Sequence, residues 1–176
     1  MIIKKIMEKA SKIKMIIFDV DGVLTSGELF IGDDGQEYKA FNSLDGHGMK
    51  MLQNSGVEIA IITGRTSNVV KTRMKSLGIT HLYEGQHDKR LGYKDLKEKV
   101  NLTDEEIAYV GDDVVDLPVM KYVGLSVAVN SAHPFVIKHA DITVSKDGGR
   151  GAAREICELI MDAQGNLEKE LISYLD

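Results

Sequence analysis

Two aspartates separated by a single residue, Asp19 and Asp21, close the apolar run MIIFDV and are followed at once by Gly22. In extended backbone, residues two apart share a face, and a glycine then lets the chain turn closely beneath a bound group. Two carboxylates held together repel one another unless a cation or a shared proton lies between them, so the pattern points to metal or acid–base chemistry. An aspartate is also a phosphoryl acceptor, already ionised at neutral pH. A second acidic cluster, VGDDVVD, follows the run IAYV: Gly111 opens the turn, Asp112 and Asp113 face the crevice, and Asp116 falls on the first turn of the next helix. Alone, that segment reads equally as helix capping, with Asp113 at the N-cap and Asp116 as a first-turn acid. Together, Asp19, Asp21 and Asp112 supply hard oxygen ligands suited to Mg²⁺, which binds through few carboxylates plus substrate phosphate.

Two further segments complete a phosphate site. ITGRTS ends an apolar run at Thr63, with Gly64 freeing the backbone for a phosphate oxygen and Arg65 nearby as a charged donor. Hydroxyl, amide and helix N-terminus form an anion cradle, although such a segment alone is an ordinary strand-to-helix turn. Lys89, in GQHDKR, begins a helix; its default is a solvated cation, but in a crevice its charge offsets the nucleophile and the phosphate together. The chemistry expected is attack of Asp19 on phosphorus, with Asp21 protonating the leaving oxygen and then activating water.

These residues need strands to carry them. Short runs rich in Val and Ile recur at 15–20, 57–63, 107–110, 125–129 and 141–144, each too short for a typical helix. Between them SLDGHGMKMLQNSG, SNVVKTRMKSLG, DKRLGYKDLKEKV and DVVDLPVMKYVG place apolar residues at helical spacing and often stop at glycine. Such alternation predicts an α/β fold: a three-layer α/β/α, Rossmann-like parallel sheet with right-handed crossovers, formed as one domain over residues 1–176. An open sheet of this kind presents ligands at the carboxyl ends of its strands, where the aspartates lie. Thr103 and Glu106 form a capping-box pattern before the run at 107. Residues 24–41 break the alternation: two short extended segments joined by GDDG predict a protruding β-hairpin, either ornamental or, given its place after the first strand, functional.

The composition narrows the partners. A formal charge of -5 supplies no global field for nucleic acid or anionic membrane. No run approaches the roughly 20 apolar residues that cross a bilayer, and MIIKKIMEKASKIK lacks the apolar stretch of a signal peptide, so a cytoplasmic location is expected. One cysteine, Cys157, excludes an internal disulfide and reads as a small buried hydrophobe. The histidines have no compact metal-binding spacing; His87 is the nearest to the proposed chemistry.

MIIFDVDGV, ITGR, Lys89 and GDDVVDLPVM, in that order, resemble the haloacid dehalogenase superfamily of aspartate-nucleophile phosphatases over nearly the whole chain. The resemblance implies that Asp19 is the nucleophile and Asp21 the general acid/base, its backbone carbonyl rather than its side chain reaching Mg²⁺. Thr63 and Lys89 would bind the phosphoryl group, Asp112 would hold the metal, and Asp113 and Asp116 would orient ligands. DVDGVLTSG, the hairpin, FNSLDGHGMKML and GGRGAAREICELI extend the likeness to capless members that hydrolyse eight-carbon sugar-acid phosphates. It implies a homotetramer in which the hairpin closes a neighbouring site, and a glycine-rich tail (Gly148, Gly149, Gly151) that brings Arg150 to the sugar acid; that segment reads otherwise as a plain loop into the last helix. Many of these relatives carry an arginine before the Asp-Gly of NSLDGHG, where this chain has Leu44, leaving Arg65, Arg73, Lys89 and Arg150 as candidate partners for a substrate carboxylate. Closely similar domains act on nine-carbon, sialic-type acid 9-phosphates. A phosphorelay receiver domain is the rival from another class, but its acidic pair is adjacent and its phosphoacceptor lies on a later strand, whereas the second run here ends in Thr63.

Overall fold

A computed structural model describes residues 2–175. The chain runs α1 (Ile2–Ala10), β1 (Met15–Phe18), β2 (Phe30–Ile31), β3 (Glu37–Tyr38), α2 (Ser43–Asn54), β4 (Glu58–Ile62), α3 (Asn68–Ser76) and β5 (His81–Tyr83). It continues through α4 (Lys89–Val100), β6 (Ile107–Gly111), α5 (Leu117–Met120), β7 (Leu125–Ala128), α6 (Pro134–His139), β8 (Ile142–Thr143), α7 (Ala152–Ala163) and α8 (Leu167–Ile172). Six strands form one parallel sheet in the order β5-β4-β1-β6-β7-β8. Helices α1, α2 and α7 pack together as one group and α4 with α5 as another, so the central strands are covered on both faces. That is why β1, β6 and β7 are buried at every position and read as unbroken apolar runs.

The register decides where the chemistry falls. Phe18 lies beside Ile61 of β4 and Val110 of β6. Asp19, Thr63 and Asp112 therefore leave three adjacent strands at the same edge. The five expected strands all form, four a little shorter at their ends and β6 one residue longer, through Gly111. β5 has no counterpart in the sequence reading, because three half-buried residues at the sheet edge give neither a long apolar run nor a clear alternation. The helix expected over DVVDLPVMKYVG contracts to α5, since Asp112 to Asp116 form a turn around the Asp116 carboxylate. α1, α6 and α8 were likewise not anticipated; α1 turns Ile6 and Ala10 into the core while Lys4 and Lys5 face outward and Lys9 pairs with Asp141.

The capping box is present on the short 3-10 turn Asp104–Glu106, with the Thr103 amide donating to Glu106 Oε2 at 2.9 Å. The hairpin forms as β2 and β3, paired antiparallel and closed by Gly32 N to Gln36 O at 2.8 Å. Leu29, Phe30, Ile31 and Tyr38 stand exposed on it. Cys157 is fully buried, and that burial pushes its thiol well above the ordinary range.

The expected flexible approach of the glycine-rich tail is not what the chain adopts. Gly148 is held by Ser131 Oγ at 3.0 Å and Gly149 by Val23 O at 2.8 Å. A Cβ on Gly148 would lie 1.7 Å from the Gly22 carbonyl oxygen, so glycine serves here to let two backbones touch. Asp45 of α2 then accepts from the amides of Gly151 (3.2 Å) and Arg154 (2.9 Å), fixing the start of α7.

Candidate active site

Asp19 follows the last residue of β1 and is 7% exposed. Beyond it, Gly22 turns the chain at φ +89°, a conformation that L side chains rarely adopt. The turn is tied down by Val20 O, which accepts from the amides of Val23, Leu24 and Thr25, and by the Thr25 hydroxyl, which accepts from Gly22 and Gly27. A Cβ at Gly22 would lie 2.0 Å from Asp112 Oδ2. Only a glycine here leaves room for the Asp112 carboxylate beside the β1 turn.

Oxygens of Asp19, Asp112 and Asp116 lie within 4.8 Å of one another. Asp116 is fully buried and both its oxygens are engaged: Oδ1 accepts from Lys89 Nζ at 2.6 Å and Tyr109 Oη at 2.7 Å, and Oδ2 from the amides of Asp112 at 3.0 Å and Asp113 at 3.2 Å. It therefore orients the loop and the lysine, leaving Asp19 and Asp112 to face a ligand. Burial, reinforced by the charge of Asp116, pushes the Asp19 carboxyl up to about 6 even though Lys89 opposes the shift. Burial, with Asp116 and Asp19 beside it, pushes Asp112 up to about 8. Two hard carboxylates side by side at the strand ends, both pushed up by burial and by their acidic neighbours, are a donor set that a small divalent ion fits. The cofactor is Mg²⁺.

Lys89 is no solvated cation: its side chain is 3% exposed and its Nζ lies 3.0 Å from Asp19 Oδ1 as well as against Asp116. Burial works against its charge, but the two carboxylates prevail and hold it above its ordinary range. Asp21 turns its side chain away from this cluster, toward Lys39 and Arg65, which fits a metal contact through its carbonyl rather than its carboxylate. Thr63 is buried, and its carbonyl receives the Gln86 amide at 3.0 Å. The helix N-terminus expected behind Thr63 is not free to serve the cradle: α3 begins only at Asn68, and the Ser67 amide is taken by Glu84 Oε1 at 2.8 Å.

A cleft of about 270 Å³ opens over these groups, lined by Asp19, Asp21, Thr63, Gly64, Arg65, Lys89, Asp112 and Asp113 together with Gln86, His87 and Val115. Arg150 is exposed and outside this lining, and Arg73 packs over the Phe41 ring beneath α2, with its Nη2 3.5 Å from Asn42 O. Of the four cations expected to meet a substrate carboxylate, only Arg65 and Lys89 reach the cleft within one chain. Sequence reasoning missed Lys39 and Glu37, which the hairpin carries to Asp21 and Arg65, and Tyr109, whose hydroxyl lies in the buried layer under the site. Asp21 lies 18 residues from Lys39 and Arg65 28 from Glu37, so no local pattern joins them, and a tyrosine inside an apolar run signals a core residue.

A family model for haloacid dehalogenase-like hydrolases matches residues 79–156. A 3-deoxy-D-manno-octulosonate 8-phosphate phosphatase, KdsC, of Escherichia coli (strain K12) is 50% identical over 164 residues, covering 93% of this chain and 87% of that protein. The crystal structure of the enzyme of the same name from Moraxella catarrhalis, in complex with magnesium, phosphate and a KDO molecule, superposes with a TM-score of 0.95 at 38% identity, covering 97% of this chain and 98% of that one. A cobalt-bound phosphatase of the same substrate name from Haemophilus influenzae gives a TM-score of 0.89 at 37% identity, with 93% of this chain and 99% of that chain covered.

Proposed function

Because this chain belongs to the haloacid dehalogenase superfamily, as one of its capless members, we propose that it hydrolyses 3-deoxy-D-manno-octulosonate 8-phosphate to the free sugar acid and phosphate through an aspartyl-phosphate on Asp19. The observation that carries the chemistry is the position of Asp19, buried at the sheet edge between Lys89 at 3.0 Å and the Asp112 carboxylate. The substrate follows from the relatives, whose names specify it.

In this reading an oxygen of Asp19 attacks phosphorus in line with the departing sugar oxygen. Lys89, the Thr63 hydroxyl and the Gly64 amide hold the equatorial oxygens, where charge accumulates in the transition state. Asp21 gives its proton to the bridging oxygen as the P–O bond breaks, and then takes a proton from the water that cleaves the acyl phosphate. Asp19, Asp112 and the Asp21 carbonyl would hold Mg²⁺, which would supply the charge neutralisation that an anionic carboxylate needs beside an anionic ester. Asp116 fixes the Asp112 loop and Lys89, Asp113 stands at the rim, and Arg65 is the cation placed to meet the substrate carboxylate. Arg150, exposed and outside the cleft of its own chain, would meet the sugar acid of a neighbouring subunit.

A homotetramer in which the hairpin closes a neighbouring cleft belongs to the same proposal, supported by the exposed apolar residues Leu29, Phe30 and Ile31. So does a cytoplasmic location, supported by a single buried free thiol, which makes no demand on an oxidising compartment.

The test is phosphate release from 3-deoxy-D-manno-octulosonate 8-phosphate, N-acetylneuraminate 9-phosphate and p-nitrophenyl phosphate, with Mg²⁺ and with excess chelator. The expected result is Mg²⁺-dependent turnover with kcat/KM for the eight-carbon acid at least ~100-fold above the others, a discrimination of about 2.7 kcal/mol. Preference for the nine-carbon acid would keep the chemistry and move the substrate. A stable phosphoprotein without turnover would overturn the hydrolase.

A further inference from the structure

Lys39 follows β3 on the return leg of the hairpin, where the backbone is fixed on both sides. Before it, β3 pairs with β2; after it, the Asn42 side chain caps α2 by accepting from the amides of Leu44 and Asp45 at 2.8 and 3.4 Å. The Lys39 side chain is only 1% exposed. An ammonium withdrawn from water to that degree is costly unless charged partners replace the solvent. It has two: Asp21 Oδ1, in direct contact, and Glu37 Oε1 at 2.7 Å. Arg65 approaches the same pair from the cleft, with Nε 3.8 Å from Asp21 Oδ2 and Nη2 3.2 Å from Glu37 Oε1. The two oxygens of Asp21 are thereby made unequal: Oδ1 is clamped under the hairpin, and Oδ2 lies on the side of Arg65, which lines the cleft.

We propose that Lys39 is a positioning residue for phosphoryl transfer: by holding Asp21 Oδ1 it sets Oδ2 as the oxygen that passes the proton to the departing group. This rests on the phosphatase reading above. In the step concerned, the bond from Asp19 oxygen to phosphorus forms, the bond from phosphorus to the sugar oxygen breaks, and the Asp21 proton moves to that oxygen. A hairpin that serves a neighbour as a lid thus also serves its own subunit's chemistry. Lys39 does not touch substrate; Glu37 balances its charge, and Arg65 remains free on its exposed side.

The test uses the full-length protein with saturating Mg²⁺ and compares two esters. p-Nitrophenolate departs without needing a proton, whereas the alkoxide of a sugar phosphate does not. Wild-type turnover of p-nitrophenyl phosphate with Mg²⁺ tests the phosphatase reading alone. For Lys39→Met, kcat on the sugar phosphate that wild type turns over fastest is expected to fall about 100-fold with KM little changed, the scale of a lost general acid. On p-nitrophenyl phosphate the loss is expected to stay below about 5-fold, and Lys39→Arg should restore at least ~10-fold of the sugar-phosphate rate. The ratio of the two rates does not depend on the fraction of enzyme folded, and Lys39→Gln measured the same way guards against an ill-behaved methionine variant. An equal loss on both esters would make Lys39 merely structural, and a raised KM with unchanged kcat would make it a substrate contact; either overturns the proposal.

Discussion

Asp116 gives both carboxylate oxygens to its own chain, so its removal strands a buried lysine, a tyrosine hydroxyl and two amides at once. Asp116→Ala is expected to lower unfolding free energy by about 3–5 kcal/mol in urea titrations, the cost of breaking a buried charge pair. Tyr109→Phe, which deletes one of those hydrogen bonds, should cost about 1–2 kcal/mol in the same assay. The carboxylates proposed to hold the ion predict a pH dependence of the opposite sense to ordinary acid denaturation. Free in the unfolded chain, both aspartates titrate near ~3.9. Folded and without metal, Asp19 is pushed up to about 6 and Asp112 up to about 8. Between those limits the native state binds more protons than the unfolded one, so stability falls as pH rises. In chelator, the thermal midpoint should therefore decline from pH 5 to about 8, and saturating Mg²⁺ should flatten or reverse that slope. At this scale the sequence was informative wherever a residue ends a strand: Asp19, Thr63 and Asp112 could be placed from local pattern, whereas Asp21, expected on the same face as Asp19, follows a strand that ends at Phe18 and turns its carboxylate to Lys39 and Arg65 while Asp116 joins the cluster. Lys39, Glu37 and Tyr109 were opaque because their roles are set by side chains that tertiary structure brings to them.

The elements were legible in proportion to their length and burial. β1, β4, β6 and β7 lie in apolar runs, and the hairpin showed itself by its GDDG turn although its strands have two residues each, whereas β5 carries no such signal and depends on its partner β4. The junction between α2 and α7 shows how such partners act: Asp45 lies in α2 yet caps the beginning of α7, whose own N-cap residue is Gly151 and offers no side chain. Burial pushes the Asp45 carboxyl upward, while the amides of Arg154 and Gly151 pull it back. Asp45→Ala is expected to cost about 1–2 kcal/mol, the value of a lost N-cap. Amide hydrogen exchange should then quicken selectively from Gly148 to Arg154, leaving the protection of β1 and β6 intact.

For the whole molecule, the parallel sheet and its covering helices were predictable from alternation, but the use of the surface was not, since an exposed apolar residue looks the same in sequence as a buried one. Phe30, 55% exposed at the hairpin, is the place to test the proposed assembly. Phe30→Asp should reduce the sedimenting species to a smaller one and lower sugar-phosphate turnover at the same enzyme concentration, with the far-UV circular dichroism unchanged because the exposed residue contributes nothing to the core. The strand order carries a consequence for how the chain is made. The central strand, β1, is synthesised first among the strands, and its neighbour β6, which brings Asp112, only after β4, α3, β5 and α4 have followed. A nascent chain therefore displays Asp19 and the Asp21 carbonyl well before it owns the Asp112 carboxylate. The ion can be captured only once the middle of the sheet has closed, so its binding energy is available to the completed fold and to no shorter one.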